Sequence, residues 1–224
     1  MARFTGFGPK ALAFFTALKF HQDKAWFEEN RALYQSDVLD PMVALLDDLT
    51  EAFAAKKIPL KAEGKRSIFR IHRDVRFARD KTPYKTHCGA TLTRSGAKME
   101  QGLVYLHISP EGCLMAAGFH RPEPAALMKL RQAIAAKPAK FKAVEAALAK
   151  GRLAFDMESQ LSRVPRDFQA LKGGPLDGVI RLKSFIVEES LSEAEILSPK
   201  LPQRVVDFTQ RARPLLDFGW QALG

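Results

Sequence analysis

From Gly8 onward the apolar residues fall on helical stripes. Ala11, Phe14, Phe15 and Leu18 stand at i, i+3, i+4 and i+7, one face of an amphipathic helix that Pro9 suits at its first turn. A second helix is expected over about 23–35, with Asp23 as its N-cap. Trp26, Asn30 and Leu33 share one face of it, so an amide sits beside two large apolar groups and needs a local backbone partner. Asp40-Pro41 opens a third helix, whose Met42, Leu45, Leu46, Leu49 and Phe53 make a core stripe. Between about Lys65 and Phe119 the period drops to two, which predicts strands around 67–76, 87–94, 102–108 and 113–120. One face of these is apolar throughout, from Cys88, Ala90 and Leu92 to Met115, Ala117 and Phe119. The other is polar or small, with His87, Gly89, Thr91, Tyr105, His107 and His120, and is left to solvent or ligand.

Helical spacing then returns. Glu123-Pro124 starts a helix with Leu127, Leu130 and Ile134 inward, and Pro138 restarts another that ends at Gly151. The segment 152–185 is punctuated by Pro and Gly, with a strand expected near Ser184–Glu188. A last helix from about Pro199 is expected to bend or break near Pro214. The pattern predicts an α+β fold: an antiparallel sheet of about four to six strands packed on one face by N-terminal, central and C-terminal helices. No repeat or long linker divides the chain, so a single domain over residues 1–224 is expected.

Composition narrows this little. Hydrophobic residues at 46% and charged residues at 27% are those of an ordinary soluble chain. The run Ala11–Leu18 is bracketed by Lys10 and Lys19 and is too short to span a bilayer, so no membrane partner and a cytoplasmic location are expected. Cys88 and Cys113 form no C-x-x-C pair and lie on the apolar side of predicted strands, as buried free thiols in a reducing compartment would.

Charge changes the picture more. The stretch Lys65–His87 carries eight Lys and Arg against Asp74 and Asp80, a surplus of +6 within a chain of +10. Its alternation places Arg70 and Arg76 on the open face, while Arg73 falls in phase with Phe69, Ile71, Val75 and Phe77 and points inward. An inward guanidinium needs an acid, which Asp74, Asp80 or a carboxylate of the N-terminal helices would supply. Pro83 stiffens the loop Asp80–Lys85, from which Lys81, Tyr84 and Lys85 are expected to project hydrogen-bonding tips. Arg131, inside the stripe of the following helix, either completes that cradle or snorkels. Three roles stay open for the motif: a structural ion-pair network, a pocket for a phosphate- or carboxylate-bearing small ligand, and a nucleic-acid surface. The last is set back because Phe69 and Phe77 pattern as buried rather than offered for stacking.

Candidate chemistry is sparse. His72-Arg73-Asp74 and Asp217-Phe218-Gly219 spell protein-kinase triplets, but their separation and the missing Gly-rich loop make both fortuitous. No phosphate-binding loop, nucleophile elbow or zinc motif occurs, so no cofactor and no metal are expected. His72, His87, His107 and His120 share a predicted sheet face without an accompanying acidic cluster. Catalytic residues stay unassigned; Asp74 or Asp80 is the candidate base should the protein be an enzyme.

The string RIHRDVRFARDKTPYKTH, with WFEENRALY before it and GFHRPEPAALMKLRQAI after it, resembles the uncharacterised family known as domain of unknown function 2461. The resemblance runs from FTGFGPKALAFFTAL to RPLLDF in the final helix. It implies a soluble α+β domain and carries over Trp26, Phe27, Asn30, Arg70, Arg73, Asp74, Arg76, Phe77, Asp80, Lys81, Pro83, Tyr84, Lys85, Gly118, Pro122 and Arg131. Of these, Arg70, Arg76, Lys81, Tyr84, Lys85 and Arg131 are expected around a ligand, with Arg73, Asp74, Asp80, Trp26 and Asn30 as support. The chain departs from the family pattern at Asp167, where Gly is usual, and at Gly174, where an Asp-His-Pro element is common.

Overall fold

The computed structural model describes residues 3–224. Its helices are α1 (Ala11–Phe20), α2 (Lys24–Glu29), α3 (Arg31–Tyr34), α4 (Asp40–Ala55), α5 (Pro124–Ala136), α6 (Pro138–Lys150), α7 (Asp177–Ile180), α8 (Glu193–Ile196) and α9 (Leu201–Leu223). The strands β1 (Cys88–Leu92), β2 (Leu103–Ile108), β3 (Cys113–Phe119) and β4 (Phe185–Leu191) form one antiparallel sheet in the order β1-β2-β3-β4. In β1 and β2, Cys88 faces Ile108 and Leu92 faces Val104. This is the α+β class expected from the pattern. Among the described residues, no helix is long and apolar enough to cross a membrane.

Local chemistry explains the helix ends. Asp23 caps α2, its Oδ1 accepting the Trp26 N–H at 2.9 Å. The single helix expected over 23–35 is instead two short ones divided at Asn30, whose Nδ2 donates to the Trp26 carbonyl at 2.9 Å. An Asn bonded to the carbonyl four residues back competes with the helical ladder, and α2 ends there. A π-helical turn, Gln35–Leu39, leads from α3 into α4, where Pro41 occupies the first turn as foreseen. The final helix runs through Pro214 without a break, so of the bend or break expected there the break does not occur.

The larger correction concerns the basic stretch. Residues 67–76 do not form a strand. A 3-10 turn covers Gly64–Ser67, then the chain touches β1 only at the Ile68–Ala90 bridge and through the Phe69 N–H donated to the Gly89 carbonyl at 2.8 Å. The open second sheet face is also narrower than expected. In β2, Tyr105 and His107 are half-buried between buried neighbours, but β1 is buried at every position and β3 at all except Leu114.

Backbone proximity divides the chain into two compact units. One holds the chain up to Glu100, Val104–Met115 and Ser190–Asp207; the other holds Gln101–Leu103, Ala116–Glu189 and Phe208–Gly224. In the first, α4 packs on β1, and Phe14, Phe15, Leu18, Met42, Leu46 and Phe53 are sealed from solvent with Ala90 and Leu106. Burying such side chains contributes roughly 1.5–3 kcal/mol each. In the second, Phe141 is ringed by Phe155 at 5.9 Å and Phe218 at 5.2 Å, with Phe185 beyond. Gly118, at φ +132°, lets the backbone of β4 approach: a Cβ there would lie 2.1 Å from the Phe185 carbonyl oxygen.

Candidate functional site

The basic stretch is a hairpin. The Arg73 N–H donates to the Pro83 carbonyl and the Lys85 N–H to the Ile71 carbonyl, both at 2.8 Å, and His72 bridges Tyr84 between them. Its base is anchored in the first unit by aromatic contacts. The Tyr84 ring stacks on Phe27 at 4.6 Å, His72 lies 5.1 Å from Tyr84, and the Tyr84 N–H donates to Gln22 Oε1 at 2.9 Å. Tyr84 is only 4% exposed, so its ring is core rather than a projecting tip. Trp26 lies in the same helix as Phe27 and stacks on His21 at 5.2 Å.

The hairpin tip pairs its own charges. Arg73 pairs with Asp80 and donates to Thr82, while the Asp80 Oδ1 accepts the Thr82 N–H at 2.9 Å. Asp74 does not support Arg73. It forms a two-point fork with Arg76, 3.0 Å to Nε and 2.7 Å to Nη2. Lys81 Nζ donates inward to the Val75 and Arg76 carbonyls at 2.9 and 3.4 Å. These partners hold both carboxyls ionised. The Arg76 hydrogen bond lowers Asp74 below the usual carboxylate range, and the Arg73 bond, then the Thr82 N–H, bring Asp80 down to about 2. A general base working near neutrality needs the opposite displacement, so neither Asp74 nor Asp80 is suited to that role. Phe77, in phase with the inward residues, is 96% exposed, with the Arg76 guanidinium 6.0 Å from its ring centroid.

Unpaired cations gather at the hairpin base instead. Lys85 Nζ and Lys98 Nζ lie 5.6 and 5.4 Å from the centroid of the Phe69 ring, close enough for cation–π attraction. Lys98 also donates to the Ile68 carbonyl at 2.7 Å. Burial, then the neighbouring Arg70 and Lys98, depress the Lys85 ammonium below the usual lysine range. Phe69 meets Tyr105 edge-on at 6.2 Å, and the Tyr105 hydroxyl is 2.9 Å from His107 Nδ1. His107 in turn lies 4.5 Å from His87, ring to ring. Burial, then His107 and Lys85, bring His87 down to about 4, and burial lowers His107 too, so both imidazoles are neutral near pH 7. Glu111, the acid that acts on both histidines, is already paired with Lys19 at 2.7 Å. The result is a row of Arg70, Lys85, Lys98, the imidazoles and a phenol, with no carboxylate in ion-pair contact among the described residues. Such a row presents charge and hydrogen-bonding groups to an oxyanion.

The structure therefore brings together two of the residues expected around a ligand, Arg70 and Lys85. It commits Arg76 and Lys81 to the tip and buries Tyr84. Arg131 belongs to the second unit, is 6% exposed and does not snorkel. Its Nε donates to the Ile180 carbonyl at 2.8 Å and its Nη2 to the Leu182 carbonyl at 2.9 Å, closing the end of α7. Lys98 was not singled out by the pattern, since it lies in the loop after β1 and its contact with Phe69 is long-range. Tyr105 and His107 were legible as members of the polar sheet face. His72 and His120 do not join the His87–His107 pair, and among the described residues no group of three His, Cys, Asp or Glu could hold a metal.

Neither the curated proteins nor the solved structures contain a match to this chain. A family model does match, over residues 10–218, spanning both the hairpin and its aromatic seat. The chain belongs to the family described as conserved hypothetical protein, DUF2461.

Proposed function

We propose that the first unit binds a small phosphate- or carboxylate-bearing molecule over Phe69, held by Arg70, Lys85 and Lys98 with Tyr105, His107 and His87 alongside. The observation that carries this is the convergence of cations on one ring without an acid to neutralise them. Like charges held together in a half-buried place oppose folding, and a bound oxyanion relieves that repulsion. Arg73, Asp74 and Asp80 stiffen the hairpin that presents Arg70 and Lys85, and Tyr84 fixes its base.

A second role is favoured by Phe77, whose fully exposed ring among Arg76, Arg79 and Lys81 offers a surface for base stacking. In that role the partner is a single-stranded nucleic acid, and the hairpin tip rather than its base makes the contact.

One experiment separates the two. Thermal melting is followed with inorganic phosphate, citrate or a short oligonucleotide, using the wild type and the variants Lys85→Gln/Lys98→Gln and Phe77→Ala. At a hundred times Kd, a small-anion site raises Tm by about 5–10 °C. The paired lysine variant loses that rise and Phe77→Ala keeps it. If phosphate and citrate shift wild type and lysine variant alike, the base is not the site. Oligonucleotide binding that falls steeply with salt and is lost in Phe77→Ala supports the tip.

A further inference from the structure

We infer that the second unit carries an anion site of its own, built for a multiply charged ligand of nucleotide or sugar-phosphate size. A cavity of about 850 Å³ opens there, lined by Arg163, Arg166, Lys172 and Arg181 with a single acid, Asp177. None of the basic-motif residues lines it, so it stands independently of the hairpin base.

Its walls are fixed by the segment that the sequence marked as irregular. Val164 is buried, and Gln169 Nε2 clamps the chain by donating to the Val164 and Pro165 carbonyls at 2.6 and 3.3 Å. Pro165 precedes the 3-10 helix Arg166–Leu171, whose Phe168 is also buried. Buried anchors at 164 and 168 leave Arg163 and Arg166 at the surface on the cavity side. Lys172, at the end of the same 3-10 helix, lines the same opening. Both oxygens of Asp177 are already engaged: Oδ2 accepts the Gly173 N–H at 2.8 Å and Oδ1 sits 2.8 Å from Arg181 Nε. The latter approach is an ion contact without an aligned hydrogen bond, because that Nε–H has no acceptor in line.

Four cations thus face one acid, whose single charge is already set against Arg181. The side chains of Arg163, Arg166 and Lys172 have no hydrogen-bond or ion-pair partner among the described residues. Arginine forks suit phosphoryl oxygens, which they grip at two points. The volume decides the size class. At about 850 Å³ this open cleft falls in the range of small-molecule sites, roughly 300–1,000 Å³, and exceeds what one phosphate ion fills. A ligand with several phosphoryl or carboxyl groups spaced along it would engage the separated cations together.

Inorganic tripolyphosphate is the probe, titrated calorimetrically into the full chain at low salt. The variants are Arg163→Gln/Arg166→Gln, Lys172→Gln and Lys85→Gln/Lys98→Gln, the last removing the same charge as the first but from the other unit. Arg163, Arg166 and Lys172 are exposed, so replacing them leaves the fold intact, which an unchanged melting temperature of those free variants verifies. The expected result is binding by wild type that weakens at least about tenfold in the arginine pair and measurably in Lys172→Gln. The Lys85→Gln/Lys98→Gln protein keeps that affinity within about twofold, apart from any second, separately resolved event. Absence of binding by wild type, or equal weakening in both paired variants, overturns the inference.

Discussion

Tyr84 sits between Phe27 and His72, with its main chain held by Gln22, so its value to the protein is the ring. Tyr84→Ala is expected to cost about 3–5 kcal/mol of stability, as for other buried aromatics. Tyr84→Phe should stay within about 1 kcal/mol of wild type and leave any phosphate-induced shift unchanged. Urea unfolding with a common slope checks both. A Tyr84→Phe protein that folds normally but loses its response to phosphate would return the hydroxyl to the ligand site. Arg73 teaches the same lesson from the other side. Its phase with the apolar residues correctly implied a partnered guanidinium, but the partner is Asp80 across the loop rather than its neighbour Asp74.

At the level of elements, side chains that bond the backbone override periodicity. The helices α1, α4, α5 and α6 follow their apolar stripes because burial of one face dominates there. The alternation over 67–77 looked equally clear, yet Asp74 takes the Arg76 N–H and Asp80 takes the Thr82 N–H. Those local bonds turn the chain back on itself, and the alternating residues become one arm of a hairpin. Hence the tip residues were found but their surroundings were not, and Lys98 could emerge only once the loop after β1 was placed. Arg131 is a further case, a cation within an apolar stripe that serves carbonyls at the end of α7. Arg131→Met keeps the stem and strips both donors, and two buried carbonyls left unmet should cost about 2–4 kcal/mol in a denaturant titration. Affinity for small anions at the hairpin base should not change.

For the whole molecule, the +10 charge includes arrangements of different kinds within each unit. In the tip the charges are largely answered; at the Phe69 ring and around the second unit's cavity they are not. Acid sensitivity should come in two windows. His87 takes a proton near 4 in the folded chain and near its ordinary 6.5 when unfolded, so the unfolded state binds the proton first and stability falls as pH drops from 6.5 to 4. Asp74 and Asp80 are lowered, so their contribution is kept above the ordinary carboxylate range and lost below it, Asp80 down to about 2. His87→Gln should flatten part of the upper window in a plot of Tm against pH and leave the lower one in place. His107 and His120, lowered in the same direction, retain the remainder.

The two tryptophans add an optical consequence. Trp26 lies flat against His21 in the first unit, whereas Trp220 is 7% exposed in the second and donates its indole N–H to the Gly102 carbonyl at 3.2 Å. Each unit therefore owns one fluorophore. Trp220 should emit toward the blue from its dry surroundings, and the half-buried Trp26 further to the red. With either indole replaced by phenylalanine, the remaining emission follows its own half of the chain through unfolding. Coincident midpoints would mark the 224 residues as one cooperative body, and separate midpoints as two.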